Sequence, residues 1–241
     1  MEIALDNPAF WVAVLQIIAI DILLGGDNAV VIALACRNLP PELKRKGIFW
    51  GVAGAIGLRV VLTIFAVTLL TVPYLKIVGA ILLFWIGIKL ILPEDEDAHE
   101  IEASTKLLGA IKTIIIADAV MSLDNVIAVA GAAKDSYALI VFGLLVSIPI
   151  IVWCSQLVLK LINRFPWVVL LGGGLLGWIA AGMFVHDVVV KDWVAANANW
   201  LNTWAPPAGA LVVMAIGKLL AMRAERGRDA RVVDLADKGN T

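Results

Sequence analysis

The side chains best placed to do chemistry in this sequence are acids and amides set inside apolar runs. Asp21, Asp27 and Asn28 lie in Ile20-Asp21-Ile22-Leu23-Leu24-Gly25-Gly26-Asp27-Asn28-Ala29-Val30, and Asp118, Asp124 and Asn125 lie in Ala117-Asp118-Ala119-Val120-Met121-Ser122-Leu123-Asp124-Asn125-Val126-Ile127. Both segments read Asp, five residues, Asp-Asn, then an apolar run, at one offset (Asp21 to Asp118, 97 positions). Carboxylate and amide oxygens with no His or Cys among them are hard ligands. They suit Mg²⁺, Ca²⁺ or Mn²⁺ and not Cu(I) or a thiolate zinc site. Two to four negative charges fit a divalent cation, or a cation exchanged against protons on the same carboxylates. Four acids in an apolar medium cost on the order of 10 kcal/mol before pairing, and Arg59, the only base placed mid-span, can neutralise only one of them. The duplication therefore reads as an internal repeat forming a functional polar site, with helix-packing glue as the weaker alternative. Met121 reads as core packing, a softer contact to Mn²⁺ being the alternative.

The elements that must hold these residues are membrane helices. The chain has 241 residues, 61% hydrophobic and 16% charged, with mean hydropathy +0.95, against about 25% charged in ordinary soluble domains. Crossing the hydrocarbon core takes about 20 apolar residues. Seven segments qualify, at 10–36, 47–71, 73–92, 107–132, 137–161, 167–186 and 206–222. With the N-terminus outside, fifteen Lys and Arg fall in inner loops and the tail, and only Lys76, Lys134 and Lys191 fall in outer loops. Basic residues concentrate on the cytoplasmic side, so the expected topology is N-out, C-in. Met1 to Phe10 has no basic stretch of the kind that opens a signal peptide, so the first apolar run is expected to stay in the protein.

The fold expected is an all-α polytopic membrane protein with about seven transmembrane helices. Helix 1 runs inward and helix 4 outward, so a three-helix repeat must be inverted, an arrangement recurrent in transporters with midplane sites. The expected units are a first repeat at 1–92, an acidic cytoplasmic linker at 93–106, a second repeat with an extra helix at 107–222, and a solvated, disordered cytoplasmic tail at 223–241. On a regular helix Asp21 and Asn28 share a face, as do Asp118 and Asn125, while Asp27 and Asp124 point about 120° away from their own first Asp. Gly25-Gly26 permits a helix break that would swing Asp27 inward, and a pseudo-two-fold axis would bring Asp27 and Asn28 towards Asp124 and Asn125.

Other features weigh less. The acidic loop Pro93 to Glu102, with His99, reads as a solvated linker, a metal-collecting loop being the functional alternative. His186-Asp187 reads as a capping or surface pair, with a role lining an exit as the alternative. Pro149 and Gly172-Gly173-Gly174 permit kinks and close helix approach. Cys36 and Cys154 read as packing residues. Trp11, Trp50, Trp167, Trp193, Trp200 and Trp204 sit at predicted interfaces, whereas Trp85, Trp153 and Trp178 lie deeper and read as packing.

Gly-Gly-Asp-Asn in helix 1 and Ser-Leu-Asp-Asn in helix 4, in a chain of this length and span count, resemble the TerC family of integral membrane proteins, in its YjbE/YkoY-type branch. The resemblance runs from about Phe10 to Met222. It implies a role in divalent metal homeostasis, chiefly manganese export, in a fold related to the LysE-type exporters. It also implies that the family's intramembrane acids fall on Asp21, Asp27, Asp118 and Asp124, with Asn28 and Asn125 beside them.

The function expected is secondary transport, in a bacterial plasma (inner) membrane protein. Its partners would be the divalent ion, the lipid bilayer and, compatibly, further copies of itself. No prosthetic group, nucleic acid or enzymatic activity is expected. No Gly-rich loop ending in Lys-Ser/Thr is present, which argues against ATP coupling within the chain. An intramembrane aspartyl protease, a partner that delivers metal to secreted enzymes, and an exporter of small organic cations or amino acids are the competing readings.

Overall fold

The computed structural model describes the backbone of residues 8–93, 103–133 and 137–238. The side chains of Asp21, Asp124 and Asn125, and the acidic loop at 94–102 with its His99, lie outside the described residues. Every element among the described residues is a helix: α1 (Pro8–Cys36), α2 (Pro41–Ile64), α3 (Ala66–Thr71), α4 (Leu75–Ile91), α5 (Ala103–Ala133), α6 (Tyr137–Arg164), α7 (Trp167–Val185), α8 (Lys191–Asn197) and α9 (Leu201–Lys238). Among the described residues four stretches are long and apolar enough to cross a membrane: Pro41–Ile64, Ile140–Arg164, Trp167–Val185 and Leu201–Ala224. The two helices that carry the motifs, α1 and α5, have 29 and 31 residues.

Local sequence explains where these helices begin and end, and where expectation fails. Pro41 opens α2, because a first-turn residue needs no N–H and proline presets φ. The expected unbroken span over 47–71 instead stops at Ile64 and restarts at Ala66. Val60, Val61, Thr63 and Ile64 are β-branched poor helix formers, and the Thr63 hydroxyl donates to the Arg59 carbonyl at 2.7 Å, a contact that bends helices. Glycine permitted a break in α1, yet α1 runs unbroken through Gly25-Gly26 and packs on α6 and α5. The tail expected to be disordered continues α9 as helix to Lys238. Its Ala, Arg, Glu and Leu residues are strong helix formers.

The outer surface is apolar and the polar groups are inside, as a lipid solvent demands. Trp85 and Trp153 are 58% and 62% exposed, and Trp178 also faces outward, so these are not the packing residues expected. Lipid tails solvate an aromatic ring as well as a protein core does, which leaves the interior to small residues. Cys36 is buried and Cys154 partly so, both as free thiols.

Helix pairing follows a cross pattern. α1 packs chiefly on α6, α5 chiefly on α2, α1 and α5 touch each other, and α4 lies on α7. Ile17 of α1 presses against Gly143 of α6, and Ile114 of α5 presses against Gly51 of α2. Ile17 and Ile114 stand at equal distance before Asp21 and Asp118. α2 buries Ile48, Gly51, Val52, Ala55, Arg59 and Thr63, while α6 buries Ile140, Gly143, Leu144, Ser147, Ile151 and Ser155, each 92 positions later (Gly51 to Gly143). Ser155 even returns its hydroxyl to the Ile151 carbonyl at 2.8 Å, as Thr63 does to Arg59.

The two glycine contacts differ in how much they can give. A Cβ at Gly143 would lie 2.6 Å from Ile17 Cγ2 and 2.9 Å from its Cβ, both on the stiff branch point. At Gly51 the closest atom is Ile114 Cδ1 at 2.5 Å, the free end of the side chain, with the branch at 3.2 Å or more. Gly143→Ala should therefore cost about 1–3 kcal/mol by overpacking and Gly51→Ala distinctly less. Thermal unfolding of the two variants in detergent checks the order; equal losses would contradict this packing.

Candidate functional site

One turn of α5 carries Asp118 and Ser122, four residues apart and so on the same face. α2 lies against that face and brings Arg59, and α1 brings Asn28 from the other side. The Arg59 guanidinium forms an ion pair with Asp118 Oδ1, and its Nε donates to Ser122 Oγ at 3.0 Å. Ser122 Oγ in turn lies 3.4 Å from Asp118 Oδ2, at the long limit of donation. Asn28 Nδ2 donates to Asp118 Oδ1 at 2.8 Å. All four side chains are buried, and Arg59 is the only buried Lys or Arg among the described residues.

The arrangement leaves one group unanswered. Because Asn28 commits its amide nitrogen to Asp118, its Oδ1 is fixed pointing elsewhere, and among the described residues that buried oxygen has no hydrogen-bond partner. Asp27, half-buried, accepts the Asn28 backbone N–H at 2.9 Å on Oδ1. Chemically the cluster offers a carboxylate paired with a guanidinium, a buried amide oxygen and a second carboxylate one residue from that amide.

Of the six expected site residues, the structure joins Asn28 to Asp118 across the two motifs and sets Asp27 beside them. Asp21 lies on α1, and Asp124 and Asn125 lie on α5; their side chains are outside the described residues. Among the described residues no three His, Cys, Asp or Glu side chains converge. Arg59 was expected to partner one Asp, and it partners Asp118. Ser122 was missed as a contributor, although its place four residues after Asp118 on a helix already carried that signal.

A cavity of about 340 Å³ opens where the C-terminal ends of α1 and α4 meet the first turns of α5. Thr113, one of its lining residues, is five positions before Asp118, which on a helix is about 7.5 Å. Arg37, Lys89 and Lys106 also line it, and Arg37 donates to the Leu92 carbonyl at 3.0 Å, tying α1 to the end of α4.

At the opposite end of α4 a second buried acid is handled differently. Asp187, in the turn after α7, accepts the backbone N–H groups of Tyr74 and Val189 on Oδ1 at 3.2 and 3.0 Å, and those of Lys76 and Ile77 on Oδ2 at 3.1 and 3.3 Å. It thus caps α4 from more than a hundred residues away, where the helix dipole favours a negative charge. It also anchors Tyr74, whose φ of 64° is left-handed and otherwise costly for a non-glycine. Burial pushes the Asp187 carboxyl up, but the four amide donors outweigh it and hold it below the usual carboxylate range. His186 bonds the Gly182 carbonyl at 2.8 Å. The pair is therefore a capping feature, as one of its two readings held.

Apolar helices facing outward around a buried acid, amide and guanidinium cluster define a helical integral membrane protein. The chain belongs to the TerC family: the family model described as "Integral membrane protein TerC family" matches residues 6–228. It is 44% identical over 190 residues to the "Uncharacterized membrane protein YjbE" of Bacillus subtilis (strain 168), covering 79% of this chain and 87% of that one. It is 24% identical over 226 residues to the "Uncharacterized membrane protein YkoY" of the same organism, covering 85% and 69%. With the "UPF0053 inner membrane protein YgdQ" of Escherichia coli (strain K12) it shares 27% over 184 residues, 69% of this chain and 77% of that one. No solved structure matches the chain.

Asp187→Asn puts an NH₂ group against amide donors and should cost about 1 kcal/mol at neutral pH. The carboxylate's folded value is depressed, so its contribution is complete above the unfolded value near pH 4 and lost as pH falls through the lower folded one. Melting curves of wild type and variant in detergent should stay apart at pH 5–8 and converge in stronger acid; a constant gap would count against the cap.

Proposed function

We propose that the chain is a secondary transporter exporting divalent metal cations, Mn²⁺ first among them and Ca²⁺ or Mg²⁺ as lesser cargoes, across the bacterial inner membrane. Coupling is to protons or another cation, and the chain is a transporter rather than an enzyme. The observation that carries this reading is Asn28 Oδ1, a buried acceptor with no partner among the described residues, beside a buried carboxylate. An unanswered buried acceptor costs about 1–3 kcal/mol, and a hard cation arriving between it and the acids removes that cost. Asp21, Asp27, Asn28, Asp118, Asp124 and Asn125 make up the transport site in this reading. Under the motif offset, the counterparts of Asn28 and Asp118 are Asn125 and Asp21.

We read the architecture as seven spans, N-out and C-in, built from an inverted repeat of 1–92 and 107–222 joined by the acidic linker. Three observations support the repeat: the cross pairing of α1 with α6 and α5 with α2, the two isoleucine–glycine contacts, and the shared burial pattern of α2 and α6. Rocking of one unit against the other opens the site to alternate sides. The cavity at the α1, α4 and α5 ends is the inner vestibule. Arg37, Lys89 and Lys106 line it, and the sequence that follows Pro93 carries six acids between Glu94 and Glu102.

The test is Mn²⁺ transport by inside-out vesicles, wild type against Asp27→Asn and Asp124→Asn at matched expression. Each variant should lose roughly tenfold or more of the rate while inserting normally. Unchanged transport in both would sink the metal-exporter reading.

A further inference from the structure

The shared register of α2 and α6 exposes one position where the halves differ in charge. Gly51 aligns with Gly143 through their matching isoleucine contacts, Ala55 with Ser147 and Thr63 with Ser155, and all are buried. At the position between, α2 carries Arg59 and α6 carries Ile151, buried as well. Each half therefore has a motif helix opposed by a glycine-bearing helix, but only one of these opposing helices brings a cation to the register of the first motif Asp.

That cation sits in the site itself. Arg59 engages Asp118 Oδ1 and Ser122 Oγ, and Asp118 Oδ1 is also the oxygen to which Asn28 donates. A divalent cation using Asp118 and Asn28 Oδ1 together must displace the guanidinium from the first and leave the amide free to turn. Arg59 and Asn28 already fill the lone-pair directions of Asp118 Oδ1, and a metal at that oxygen beside the guanidinium would meet its like charge.

Building on the transporter reading, we propose that Arg59 is a tethered competitor of the transported ion. It neutralises Asp118 when no metal is there, must be displaced for metal to bind, and so sets a weak, reversible affinity suited to release. Ile151 marks the half of the site without this competitor, so the two motifs are unequal in strength. A guanidinium serves here better than an ammonium, because its planar fork bonds acid and hydroxyl at once.

The experiment is Mn²⁺ binding to the purified full-length protein in detergent, by calorimetry and by metal-dependent melting. Wild type is compared with Arg59→Ile, which installs the residue of the other half, and with Arg59→Lys, which keeps the charge but not the fork. Arg59→Ile should bind Mn²⁺ roughly tenfold or more tighter and gain more thermal stability from it, with slower vesicle transport because release is impaired. Arg59→Lys should fall between. A purely structural arginine predicts the reverse, since its loss would disorder the site and weaken binding. If Arg59→Ile does not fold without metal, Arg59→Lys alone decides, and its affinity equal to or below wild type overturns the proposal. Binding by wild type with unchanged affinity in both variants overturns the competitor role and leaves the transporter reading standing. No Mn²⁺ binding by any of the three removes both.

Discussion

Charge burial without water is the constraint from which the rest of this structure follows. Asp118 lies inside a bundle whose outer surface is apolar, and an uncompensated carboxylate there costs about 2.5–3.5 kcal/mol even on lenient scales. Arg59 must therefore come close, and it can do so only if α2 and α5 approach closely along their whole contact. Gly51 and Gly54 provide that approach, with Ile114 and Ile115 of α5 filling the space where their Cβ atoms would be. Arg59 lies eight residues beyond Gly51, two turns along the same face. The glycine stripe and the ion pair are thus one device, the first setting the helix separation that the second requires.

The same device recurs with one part exchanged. α6 meets α1 through Gly143 as α2 meets α5 through Gly51, and Ser155 repeats the hydroxyl-to-carbonyl bond of Thr63. Such correspondence in buried positions is expected where two helix pairs make the same closely packed interface. Departure from it is then informative, because packing alone has no reason to prefer arginine on one side and isoleucine on the other. The substitution adds a charge and five N–H donors at the depth of the acids, where either is expensive unless used.

Much of this was readable in the residues. Apolar runs and a low charge fraction established the helical membrane class, and the doubled Asp-x5-Asp-Asn spacing pointed to α1 and α5 as the helices that meet. Arg59 stood out as the one base deep in a span, but which acid it would choose depends on the rotation of α2, a property of packing that linear spacing does not encode. The break at Phe65 was hidden for a related reason. Hydropathy measures transfer into lipid, and Val60 to Ile64 score as well there as any helix former while resisting the helix at χ1. Trp85 and Trp153 misled because soluble proteins bury large aromatics, whereas a bilayer accepts them on the outside. Ser122 could have been found from its i+4 spacing, which needs only helix geometry.

The two buried acids among the described residues show why one can be a working site and the other cannot. Asp187 is solvated by four backbone amides from two separate turns, and those donors belong to a helix start and a chain reversal. Removing them from the carboxylate means unwinding α4, so the group is fixed for as long as the protein is folded. The partners of Asp118 described here are side chains, a guanidinium, an amide and a hydroxyl, each able to turn away about its own torsions without disturbing a helix. An ion can therefore replace them one donor at a time. Backbone solvation makes a clamp and side-chain solvation an exchangeable shell, and on the proposed reading that puts the transport chemistry at the α1, α2 and α5 junction.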